Sequence, residues 1–187
     1  VWNNVSGDAL TIGQRQAFRT WVEGGGGFVG IHGTAGDPVC QWDWFADTLI
    51  GARFAGHPMP PLQFQAGRVV VEAGHPVVEG LGTEWTMTEE WYSFSANPRH
   101  GGAQVLVTLD ESSYEPVGLP GMALRMGDHP LAWVRPVARG RSFYTAIGHR
   151  PESYAHPQAL RLLEQGVAWA MDSTRDLPRA AATPQAA

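Results

Sequence analysis

Two histidines stand where an α/β protein keeps its chemistry. His32 directly follows the apolar run Phe28-Val29-Gly30-Ile31, and His149 closes Tyr144-Thr145-Ala146-Ile147-Gly148. A run with no polar alternation reads as a strand covered on both faces, so each imidazole should emerge at a strand's end. Ligands of open α/β sheets bind in the crevice beyond those carboxyl ends. Gly30-Ile31-His32-Gly33-Thr34 also has the small neighbours of a sharp turn that exposes its central side chain. The competing reading of His32 is a residue that caps a strand and bonds only to backbone.

Other residues could join them. His57, in Phe54-Ala55-Gly56-His57-Pro58, is a third imidazole, and three histidines with Asp37 or Glu90 would suffice for a divalent metal such as Zn²⁺. The metal-ligand candidates are His32, His129 and His149, although no local H-x-x-x-H spacing marks a site. In Gly127-Asp128-His129-Pro130, Asp128 could orient an imidazole as carboxylates do in triads, or could only stabilise a turn. Glu89-Glu90-Trp91-Tyr92 sets two carboxylates beside two aromatics. A carboxyl desolvated by rings gains a raised pKa, which suits acid/base work near neutrality. An extended backbone there would send one glutamate inward and the other outward. Trp42, Trp44, Trp91 and Tyr92 offer faces on which a sugar can stack, or they fill a core.

These residues need a scaffold, and the chain describes one. Thr11-Ile12-Gly13-Gln14 has the form of a capping box, and Ala17, Phe18, Trp21 and Val22 recur on one helical face until Gly24–Gly27 stop it. Helix, glycine stop and apolar strand form the second half of a βαβ unit. A short helix is expected over 42–50, strands over 68–72 and 104–109, and a hairpin or adjacent strands over 131–134 and 142–147. Pro157 opens a last helix in which Leu160, Leu163, Val167 and Ala170 keep helical spacing. The expectation is one α/β domain over 1–171, followed by a disordered tail or linker over 172–187, rich in Ala, Pro and Thr.

Composition narrows the chemistry. All 13 basic residues of this 187-residue chain are arginines, which excludes Schiff-base enzymes and lysine-dependent phosphate loops. A formal net charge of −5 gives no electrostatic footprint for nucleic acid. Cys40, the single cysteine, cannot form an internal disulfide, and no apolar run approaches the roughly 20 residues that cross a bilayer. The compartment, bacterial cytoplasm or export, is not legible.

In order, Gly25–His32, Gly51–Pro58, His75-Pro76 with Gly80-Leu81, Glu89–Phe94 with Asn97-Pro98-Arg99, Leu109–Tyr114, Asp128–Trp133 and Gly140–Thr145 with Gly148-His149 resemble the ThuA-like (trehalose utilisation) domain family. The resemblance implies a flavodoxin-like, class I glutamine amidotransferase-like three-layer sandwich that lacks its first strand and helix. Where amidotransferases carry a nucleophilic Cys, this sequence resembles them with His32 in its place, so thiolate hydrolysis of glutamine is not expected. His149 with Glu152 resembles the later His and Glu of those enzymes. The implied chemistry is acid/base work on a 3-keto-disaccharide supplied by a partner sugar dehydrogenase. Catalysis is assigned to His32, Glu90, Asp128, His129 and His149, and substrate binding to Asp37, Trp44, His57, Tyr92, Arg99 and Tyr144. The alternative is a non-catalytic carbohydrate-binding or scaffolding domain.

Overall fold

The capping box forms. In the computed structural model, which describes residues 1–6 and 9–172, the Thr11 hydroxyl accepts from the Gln14 N–H at 3.4 Å, and the Gln14 side chain accepts from the Thr11 N–H at 2.9 Å. Two otherwise orphaned donors are thereby satisfied, and helix α1 (Ile12–Glu23) begins there. The expected tail beyond Asp172 lies outside the described residues. Among the described residues no helix is long and apolar enough to cross a membrane.

Nine strands occur among the described residues: β1 (Trp2–Asn3), β2 (Gly27–Ile31), β3 (Phe54–Gly56), β4 (Gln65–Val71), β5 (Glu84–Glu89), β6 (Ser93–Phe94), β7 (Gln104–Asp110), β8 (Pro130–Val137) and β9 (Gly140–Thr145). Seven form one sheet in the order β1-β2-β9-β8-β7-β4-β5, while β3 and β6 pair separately. The β1–β2 and β2–β9 pairings are parallel; every other pairing in the sheet is antiparallel. The sheet is thus mixed, where the family resemblance implied a flavodoxin-like one. Expected strands 131–134 and 142–147 are the β8–β9 hairpin, whose two-residue link forces antiparallel pairing.

The sheet is covered on both faces. Phe28 meets Phe18 of α1 with ring centroids 5.9 Å apart, and Trp133 donates its indole N–H to the Ile50 carbonyl at 2.7 Å. Ile50 ends a segment, Trp44–Ile50, that winds as a π-helix where an ordinary short helix was expected. On the other face lies α2 (Pro157–Met171), which approaches so closely that a Cβ on Gly27 would stand 1.9 Å from the Ala170 carbonyl oxygen. The buried stripe of α2 is Ala159, Leu162, Gly166, Trp169 and Ala170. That is one position off the expected set, and Leu160 is exposed, because Gly166 has to face Phe143. Small residues at the contact set the stripe more than large ones do.

Strand direction positions the site. β2, β9 and β5 all run the same way, so Ile31, Thr145 and Glu89 end at one edge of the sheet. On a flat sheet β9 and β5, four places apart, would be about 19 Å from each other at ~4.8 Å per strand. The Gly148 N–H nevertheless donates to the Glu89 carboxylate at 2.9 Å. The sheet therefore curls until its far strand meets its parallel half.

Candidate functional site

Glu90 is the centre of that meeting point. One residue past β5, it is buried, with 3% of its side chain exposed. Its Oε2 lies 3.3 Å from His32 Nε2 and 3.2 Å from His149 Nδ1; its Oε1 lies 3.5 Å from His57 Nδ1 and accepts from the Gln63 amide at 2.5 Å. Burial alone would raise this carboxyl, but the His32 ring, the Gln63 amide and the His57 ring outweigh it and hold Glu90 down at about 2. Desolvation, the sequence's reason to expect a raised pKa, is present and overruled.

His32 is the buried wall of the site. It leaves β2 with φ at +45°, a left-handed conformation rare for a residue with a Cβ, and its backbone carbonyl accepts from the Tyr144 hydroxyl at 2.9 Å. Nδ1 contacts Asn4 Oδ1 at 3.0 Å, whereas Nε2 is buried with no hydrogen-bond partner. Its 3.3 Å approach to Glu90 lacks the alignment of a hydrogen bond. His149, with 38% of its side chain exposed, and His57, with 24%, form the accessible side. Tyr92 packs at a tilt against His32 with centroids 4.0 Å apart. Burial raises its hydroxyl well above the ordinary range and the Glu90 charge adds to this, so it remains a donor. Exposed Phe64 stands beside His149 at 5.1 Å.

Glu89 and Glu90 are both buried, contrary to the alternation an extended segment would impose. The strand ends between them, and Glu89 serves as an anchor. Its carboxylate takes the N–H groups of Glu90 and Gly148, each at 2.9 Å, and the Ser153 hydroxyl at 2.5 Å. His149 is thus carried on a loop pinned by the neighbour of the residue it faces.

The remaining candidates lie elsewhere. His129 is buried, but Nδ1 faces Glu111 at 2.8 Å and Nε2 faces the Tyr92 carbonyl at 2.9 Å, so neither nitrogen is open to a metal. Asp128 does not orient it: Asp128 accepts from Asn97 at 2.8 Å and from Arg99 at 2.7 Å. Arg99 is also paired with Glu72, which fixes it as a brace between loops. Asp37 accepts the Val39 N–H and turns its own loop. Trp44 donates to Glu23 at 3.0 Å beneath Arg19, and Trp91 is fully buried; both are packing residues. Tyr144 supports His32 from below. Among the described residues the metal-capable group is therefore His32, Glu90 and His149, with all three ligand atoms within 4.8 Å of one another, rather than His32, His129 and His149. Asn4 and Gln63 escaped the sequence reading, since a lone amide in a loop carries no pattern; Asn4 could have been found from its place at the end of a strand parallel to β2.

The family model for ThuA, trehalose utilisation, matches residues 1–170. A ThuA-like protein of Bacteroides uniformis ATCC 8492 superposes with a TM-score of 0.71 at 29% identity, over 86% of this chain and 64% of that one. This chain therefore spans just under two thirds of that relative. A ThuA-like protein of Parabacteroides merdae ATCC 43184 gives a TM-score of 0.65 at 20% identity, over 94% of this chain and 71% of that one. The same fold occurs within the cold-adapted β-galactosidase of Rahnella sp. R3, with a TM-score of 0.54 at 18% identity, over 94% of this chain and 22% of that one. No curated protein matches the sequence.

Proposed function

Since the chain belongs to the ThuA (trehalose utilisation) family, we propose that it performs metal-assisted acid/base chemistry on a 3-keto-disaccharide derived from trehalose. The observation that carries this is one buried carboxylate oxygen, Glu90 Oε2, standing 3.3 and 3.2 Å from the nitrogens of two histidines. Ligands of a tetrahedral ion bound at ~2.1 Å stand about 3.4 Å apart, so the two separations from Glu90 Oε2 suit Zn²⁺ held by it together with His32 Nε2 and His149 Nδ1. The unpartnered Nε2 supports the same reading. Such an ion polarises a carbonyl or acidifies a water.

The chain's own residues supply the rest. His57 Nδ1 lies 2.9 Å from the Pro58 carbonyl, which can only accept, so Nε2 is its basic nitrogen. In a 3-keto-disaccharide the glycosidic oxygen is β to the keto group. His57 removes the C2 proton, the electron pair passes to the keto oxygen as an enolate, and its return expels the glycosidic oxygen, which takes up a proton. The Tyr92 hydroxyl supplies a donor beside Glu90. We read the layers as class I glutamine amidotransferase-like, with His32 at the elbow. Cys40 Sγ lies 3.9 Å from the Trp42 carbonyl, on another loop, which supports the absence of thiolate amidotransferase chemistry.

The test is calorimetric titration of EDTA-treated protein with Zn²⁺, followed by turnover of 3-keto-trehalose. One equivalent should bind, Glu90→Gln should weaken it at least about tenfold, and His57→Ala should slow turnover by about 10²–10⁴ with affinity retained. Absence of binding together with unchanged turnover in both variants would overturn the reading. Sugar binding without turnover would point to a carbohydrate-binding module.

A further inference from the structure

The amide of Asn4 decides which face of His32 is available. Asn4 lies just beyond β1, its N–H donating to the Ile31 carbonyl at 3.1 Å, so it runs beside the exit of β2. Its Nδ2 is 3.0 Å from the Gly148 carbonyl, which can only accept, and its Oδ1 is 2.9 Å from the Gly33 N–H, which can only donate. These two backbone groups orient the amide without ambiguity. Its oxygen then faces His32 Nδ1 at 3.0 Å, and an oxygen without a hydrogen requires that Nδ1 carry one. In the neutral ring Nε2 must keep its lone pair, and Nε2 is the atom that is buried, unpartnered and turned toward Glu90. The backbone has adapted to this bridge: Asn4 sits at φ +54°, and Gly33 leaves no room for a side chain, since a Cβ there would lie 2.8 Å from Asn4 Oδ1.

We infer that Asn4 is a positioning residue that fixes His32 in the Nδ1–H tautomer, so that Nε2 is presented as an electron-pair donor to a cation shared with Glu90 and His149. The inference rests on the metal-holding role proposed for His32. Metal-bound histidines commonly donate their other ring N–H to a carbonyl or carboxylate, which sets tautomer and ring orientation. Here one exposed amide does this and also ties down the carbonyl of Gly148, next to His149. A single residue thus sets two of the three ligands.

Two variants separate this from a structural role. Asn4→Gly removes the amide while accepting the positive φ, and Asn4→Asp keeps the acceptor and loses the amide's bonds to the Gly148 carbonyl and the Asn3 side chain. The first readout is the ¹⁵N spectrum of His32 in metal-free protein: wild type and Asn4→Asp should show the Nδ1–H form, and Asn4→Gly should lose it. The second is Zn²⁺ affinity, expected to fall about 10–100-fold in Asn4→Gly and to stay within a few-fold in Asn4→Asp. An Nε2–H form in wild type, or equal behaviour of the two variants, would overturn the inference. Wild type that shows the Nδ1–H form but binds no Zn²⁺ would leave the tautomer assignment standing and refute the metal-holding role with the positioning it serves.

Discussion

Glu90 can be weighed by acid. Its carboxyl falls from the usual 4.5 to about 2 in the folded protein. A group whose folded pKa is lowered adds stability above its unfolded pKa and loses it as pH falls through the folded one. Glu90 is almost wholly buried, so screening by solvent does not discount the effect, and the drop corresponds to about 3 kcal/mol. Glu90→Gln keeps the shape and an oxygen for Gln63 while removing the titration. Urea unfolding of both proteins from pH 7 to pH 2 should show the wild type's advantage shrinking by about 3 kcal/mol, mostly between pH 4.5 and 2. Changes in stability that do not vary with pH cancel in this comparison, and the three histidines facing Glu90 are protonated throughout the window below pH 4.5 in which the difference is read. Parallel curves for the two proteins would refute the electrostatic account of the site, whatever the absolute stabilities.

Two further expectations concern the frame. Gly27→Ala drives a methyl into the Ala170 carbonyl and should cost about 1–3 kcal/mol by thermal or urea unfolding as α2 is pushed off the sheet. Arg99→Met should lower stability through loss of its bonds to Glu72 and Asp128 while leaving Zn²⁺ affinity unchanged, because Arg99 braces loops away from Glu90; calorimetry beside a melting curve checks both halves.

What the sequence revealed of the site follows from what an apolar run can say. His32 and His149 were legible because strand ends are legible, and parallel β2 and β9 bring their ends together. Glu90 came from family resemblance, since its central place depends on a curl that brings β5 round to β9, and no local pattern encodes that. The Asp128-His129 pair misled for a geometric reason. Adjacent residues need not face one another: in the bend that leads into β8, Asp128 turns out to Arg99 while His129 turns in between Glu111 and the Tyr92 carbonyl. The aromatic residues were ambiguous by nature: Trp44 and Trp91 pack, and Phe64, unremarked in the sequence, is the ring that stands at the opening. The direction of β4, β5 and β7 depends on which partner each strand finds, which periodicity alone does not state.

The two outermost strands of the sheet end in the same place. β1 delivers Asn4 and β5 delivers Glu89 and Glu90, although β1 and β5 stand at opposite edges. The site is therefore a clasp that joins the margins of a curled sheet, and its integrity measures whether both margins are in place. Edge strands are ordinarily the first parts of a sheet to fray. A ligand gripped here spends part of its binding energy holding the curl closed, and it stabilises two strands that share no hydrogen bond with each other. Affinity at such a site and the cohesion of the sheet would be thermodynamically linked.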